Sequence, residues 1–126
     1  EDQALSSPQE VAGFLMPRLR FFDQEHFLTL HLNTKNRLLS IETISIGTLD
    51  ASLVHPREVF KAAIRQSSAS LILAHNHPSG DPRPSQEDIK LTHRLKESGE
   101  LLGIPILDHV IIGDHRYYSM KEEGLI

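Results

Sequence analysis

At 126 residues, 39% of them hydrophobic and 24% charged, the chain is long enough for one compact domain with a sizeable core and leaves little room for a second. Its 13 Lys and Arg against 17 Asp and Glu give a formal charge of -4, a poor match for a phosphate backbone in the absence of a basic cluster. Cysteine is absent, which excludes a disulfide framework, a thiolate nucleophile and Cys-ligated zinc, so a metal would have to be held by carboxylates and by some of the eight His.

In chain order, Ser7-Pro8-Gln9-Glu10 sets a capping serine, a proline at the first helical position and a Glu at the third, followed by Val11, Phe14 and Leu15 at helical spacing. Pro17 is expected to limit or kink that helix. The alternation of His26, Leu28, Leu30 and Leu32 predicts a strand whose even positions face a core. Asn33 to Asn36 is turn-like, and Arg37 to Ile46 completes a hairpin ended by Gly47. Pro56 opens a helix with Val59, Phe60, Ala63 and Ile64 on one face, and Leu71 to Ala74 has the composition of a buried strand. The stretch from His75 to Pro84, dense in Pro, Gly, Ser and Asp, is expected to be a loop. A helix follows from Ser85 to about Ser98, punctuated by Gly99 and Gly103. Strands over 104–112 and 116–120, with a turn at Gly113-Asp114, complete a mixed sheet flanked by helices.

Chemistry is concentrated in the loop. In extended chain, residues i and i+2 project to the same side with alpha carbons roughly 7 Å apart. His75 and His77 can therefore converge, and Pro78 holds His77 extended. Zinc takes neutral imidazole nitrogens and, in catalytic sites, a third ligand plus water. Asp88, in the first turn of the next helix, is the best third ligand. Ser85-x-x-Asp88 also has the form of a capping box, in which Asp88 would only cap, and Asp81 is a rival ligand.

The string His75-x-His77-Pro78, six residues, then Ser85-x-x-Asp88 resembles the signature of the JAMM (MPN+) metalloproteases. The longer run from His75-Asn76-His77-Pro78-Ser79-Gly80-Asp81-Pro82 through Pro84-Ser85 to Asp88 is similar to the bacterial RadC family, also called UPF0758. So are Gly47-Thr48-Leu49, His55-Pro56-Arg57-Glu58-Val59-Phe60 and Leu107-Asp108-His109-Val110-Ile111-Ile112-Gly113. The resemblance runs from about Ser6 to the end. It implies a cytidine-deaminase-like α/β domain with a curved mixed sheet between helices, spanning residues 1–126, without the helix-hairpin-helix segment that precedes it in longer relatives. It also implies Zn2+ bound by His75, His77 and Asp88, with Glu25 as general base and Ser85 assisting the oxyanion. Glu42 and Glu58 are rivals for the base, and Asp108-His109 is a candidate support for a ligand.

The activity implied is a zinc metallopeptidase or isopeptidase acting on an unspecified peptide or isopeptide substrate. A DNA-repair accessory module is the alternative. A noncatalytic scaffold is a third reading, and the negative charge predicts weak nucleic-acid binding by this domain alone. No apolar run approaches the roughly 18 to 20 residues of a membrane span, and Glu1-Asp2-Gln3 is unlike a signal peptide, so a cytoplasmic location without membrane contact is expected.

Overall fold

The computed structural model describes residues 3–126. Helix α1 (Pro8–Leu19) starts as predicted, with the Ser7 side chain accepting the Glu10 amide. Pro17 lies inside it instead of ending it. The proline sits in the last turn, where Pro17 and Gly13 are both exposed and water can take the carbonyl that Pro17 cannot bond. Strands β1 (His26–Leu32) and β2 (Leu38–Ile46) form the predicted antiparallel hairpin. Asn33 closes it by accepting the amides of Lys35 and Arg37 on its side-chain oxygen.

The chain continues through α2 (Pro56–Arg65), β3 (Ser70–Asn76), α3 (Gln86–Leu102), β4 (Ile106–Ile112) and β5 (Tyr117–Ser119). Strand order is β2-β1-β3-β4-β5, antiparallel except for β3 and β4. That parallel pair needs a crossover, and α3 supplies it. The result is the expected mixed sheet flanked by helices. Under α1 lie Leu28, Leu30 and Leu32 of β1 with Ile72, Ala74 and Val110. On the opposite face, α2 and α3 cover Phe27, Leu71, Leu73 and Ile106.

Several expectations are corrected. The even positions of β1 do meet a core, but Phe27, Thr29 and His31 on its other face are buried too, because helices cover both sides of the sheet. His31 fits there by meeting Thr29 at 2.9 Å and Ser68 at 3.1 Å, and burial lowers its pKa despite the charge of Glu42. Strand β3 runs on to Asn76, so His75 belongs to the sheet and not to the loop. Helix α3 reaches Leu102 with Gly99 inside it. A Cβ on Gly99 would stand 2.4 Å from the Ile104 carbonyl oxygen and 3.3 Å from the Phe60 ring, so this glycine permits a close crossing, and Gly103, at φ +74°, ends the helix. Strands β4 and β5 are each shorter than the runs predicted for them.

Candidate metal centre

Strand register brings the site together. In β1 against β3, Phe27 opposes His75, and continuing that antiparallel register sets Glu25 beside His77. Odd positions of β3 face the α2–α3 layer, as Leu71 and Leu73 show, so His75 points the same way. The first turn of α3 lies there. Ser85 caps it, its hydroxyl oxygen accepting the Asp88 amide at 3.1 Å while its own amide donates to Asp88 Oδ2 at 2.8 Å. Asp88 is therefore a cap, as the capping-box reading expected. It is also completely buried and meets both imidazoles.

The contacts can be counted in protons. His77 Nδ1 donates to the Asp81 carbonyl at 2.9 Å, which leaves Nε2 a lone pair in the neutral ring, and that nitrogen stands 3.0 Å from Asp88 Oδ2. His75 has carboxylates at both nitrogens: Glu25 Oε1 at 2.9 Å from Nε2, and Asp88 Oδ1 at 3.2 Å from Nδ1. The second pair is close but not aligned as a hydrogen bond, so His75 Nδ1 and Asp88 Oδ1 are both buried without a hydrogen-bond partner. A neutral imidazole carries one N–H. Lone pairs thus face carboxylate oxygens, an arrangement that extra protons or a cation can satisfy. One ligand atom from each of His75, His77 and Asp88 lies within 4.8 Å of the others, and two imidazoles with a carboxylate are a donor set suited to a divalent transition metal. These three can hold a metal ion.

The electrostatics agree. Burial pushes the Asp88 carboxyl up, but the imidazoles of His75 and His77 and the Ser85 amide outweigh it and hold the group well below the ordinary carboxylate range. For His77, burial works downward, yet the hydrogen bonds with Asp88 and Asp81 and the charges of Asp88 and Glu25 raise its pKa. A raised folded-state value means stability present below the unfolded pKa of about 6.5 and lost as pH rises through the folded one. Buried His31 and His109 have lowered values and act in the opposite sense. The His77 contribution is isolated by comparing wild type with His77→Gln, both melted in chelator. The wild-type advantage in Tm is expected to shrink as pH climbs above about 6.5. An advantage that grows over that range would contradict the contact with Asp88.

The loop from His77 to Ser85 is pinned to the end of β4. The His77 amide donates to the Ile112 carbonyl at 2.9 Å and the Asp114 amide to that of Gly80 at 2.8 Å. Asp81 turns its carboxylate to Arg83 at 2.8 Å, and the Arg83 hydrogen bonds lower its pKa to about 2. It stands outside the His–His–Asp cluster and supports His77 through its carbonyl. Glu42, on β2, accepts from the Gln66 side chain at 3.2 Å, and Glu58 takes the His55 amide at the start of α2. Neither rival reaches the cluster, whereas Glu25 touches His75. Within the stretch expected to be a loop, Pro78 and Ser79 are exposed, whereas His75 is buried in β3; Asp88, in the first turn of α3 as expected, is buried as well.

A groove of about 450 Å³ runs past these groups, lined among others by Glu25, Leu49, His77, Ser79, Ser85 and Glu87. Its far wall is tethered, since Glu87 Oε1 accepts the Ala51 amide at 2.8 Å and the Leu49 amide lies 3.4 Å from Glu25 Oε1. Sequence reasoning missed Asn76. Its side chain accepts the His26 amide at 2.7 Å and donates to the Gln24 carbonyl at 3.1 Å, straddling Glu25. No local pattern could have announced it, because both partners lie some fifty residues earlier in the chain.

Fold and site together define a mixed-sheet α/β domain with a three-residue centre able to bind a metal. A family model described as the RadC-like JAB domain matches residues 5–125, and the chain belongs to that family. A UPF0758 protein of Desulforudis audaxviator is 61% identical over 119 residues, which are 94% of this chain and 52% of that protein. One from Desulforamulus reducens is 64% identical over 119 residues, with the same shares covered. Another, from Bacillus cereus, is 56% identical over 123 residues, 98% of this chain and 55% of its own. The chain spans about half the length of these curated relatives.

Proposed function

We propose that this domain is a zinc-dependent hydrolase of peptide or isopeptide bonds. The observation that carries the reading is the convergence of Glu25 and the His75–His77–Asp88 cluster beside an open groove. Zinc held by His75, His77 and Asp88 would supply Lewis-acid activation of water and of the scissile carbonyl. Glu25, with its side chain 26% exposed, takes a proton from the attacking water and returns it to the leaving amine. Ser85 uses its oxygen as an acceptor for the cap, which leaves its O–H free to donate to the developing oxyanion. The two roles foreseen for that side chain use opposite ends of one hydroxyl.

Among the described residues no helix is long and apolar enough to cross a membrane, and a cytoplasmic setting belongs to the same proposal. A nucleic-acid-binding role is less well supported, given the excess of acidic over basic residues. The test begins with metal content by mass spectrometry on protein purified without an affinity metal, where about one zinc per chain is expected for a single site of this type. The zinc-loaded protein is then offered a broad peptide and isopeptide library beside an active enzyme of the same class. Cleavage supports the proposal. Inactivity beside a working control refutes it, and a chain that stays metal-free in added zinc at neutral pH moves the scaffold reading to first place.

A further inference from the structure

We propose that His109 is a positioning residue for the metal centre, acting on Asp88 through Thr92, an inference that rests on the metal-binding reading above. His109 lies in the middle of β4, completely buried, opposite Leu73 of β3. Its ring centroid is 6.1 Å from that of His75 and 5.9 Å from that of Phe27. Thr92, also completely buried, donates its hydroxyl hydrogen to the Asp88 carbonyl at 2.6 Å. Having given its one hydrogen, Thr92 Oγ1 can meet His109 Nδ1, 2.6 Å away, only as an acceptor. His109 therefore carries its proton on Nδ1, and Nε2 is a bare nitrogen with no hydrogen-bond partner.

This chain of two short hydrogen bonds sits where apolar packing would be the simpler solution. Leu91, Leu95, Leu73 and Ile106 form the same layer, and an imidazole left half satisfied in such surroundings carries a desolvation cost. A buried helical threonine bonded back to the residue four earlier adds no helix stability of its own. What the arrangement does accomplish is mechanical. It ties the first turn of α3, the part of a helix most prone to fray, to the central sheet, and the residue it holds is Asp88. The Ser85 cap secures that turn from the loop side, and the Thr92–His109 pair secures it from the core side. The Asp88 carboxylate is thereby kept within reach of both imidazoles.

The experiment compares wild type, Thr92→Val and Thr92→Ser by zinc and cobalt(II) titration against a competing chelator dye, with thermal melting of each metal-free protein. Imidazole 1H–15N spectra of metal-free wild type report the His109 tautomer. Valine keeps the shape and loses the hydroxyl, and is expected to weaken metal binding by about 10- to 100-fold while serine stays near wild type. The cobalt(II) absorption should change with it, and the spectra should show the Nδ1–H form. A purely structural pair would lower the melting temperature of Thr92→Val and leave the affinity of its folded fraction unchanged, which overturns the proposal. An Nε2–H tautomer overturns it in wild type, whether or not the valine variant folds. A wild type that binds neither metal refutes the proposed function itself, and with it any ligand for His109 to position.

Discussion

Replacing Asp88 with alanine is expected to strip the domain of zinc. The carboxylate is completely buried, faces both imidazoles and accepts the Ser85 amide, so the variant loses a ligand and half of the capping box together. The N-cap Ser85 stays in place, and loss of the Asp88 half of the box alone costs about 1 to 2 kcal/mol, the worth of one hydrogen bond to a carboxylate. Loss of the ligand should weaken binding beyond the 10- to 100-fold range typical of groups that merely support a ligand. At a hundredfold excess of zinc over Kd, wild type should gain about 2.7 kcal/mol that the variant cannot. The check is zinc per chain by mass spectrometry, with Tm in zinc and in chelator. Asp88→Asn is the companion variant, because an amide oxygen can still take the Ser85 amide without supplying a charge. Retention of a full zinc complement in both would remove Asp88 from the centre.

Glu25→Gln is expected to lower kcat by about 10²- to 10⁴-fold with zinc content unchanged. Glutamine keeps the shape and an oxygen able to face the Leu49 amide, which lies 3.4 Å from Glu25 Oε1, but it cannot accept a proton from water. The measurement is kcat on any substrate that the library yields, with metal content determined on the same sample. Zinc lost in parallel with activity would instead make Glu25 part of the metal-holding set. Full activity with full zinc would end its role as the base.

Where partners are neighbours in sequence, the site was legible. His75 and His77 project together because an extended chain repeats every two residues, and Ser85-x-x-Asp88 announces a helix start that the structure forms. Glu25 is a different case. Nothing in Gln24-Glu25-His26-Phe27 sets Glu25 apart from any other strand-end carboxylate, and its place beside His75 follows from pairing Phe27 with His75 across nearly fifty residues. Helical spacing places Thr92 on the buried stripe of α3, as the structure has it, but its contact with His109 was not legible, since a polar residue on a helix stripe acquires that meaning only from the strand beneath it. The fold shows the same division. Helix starts and the hairpin were readable from caps and alternation, while the burial of Thr29 and His31 depended on α2 and α3 packing over the second face of the sheet.

All three side chains able to hold the metal come from one continuous stretch, the unit formed by β3, α3 and β4. Glu25 enters from a separate hairpin, through a strand pairing that also serves the rest of the sheet. The residues able to hold an ion and the carboxylate proposed to move a proton are thus encoded in different parts of the gene. Under mutation Glu25 could drift away while the His–His–Asp cluster persists, leaving a domain still able to hold a metal ion but without the carboxylate that the proposed hydrolysis requires.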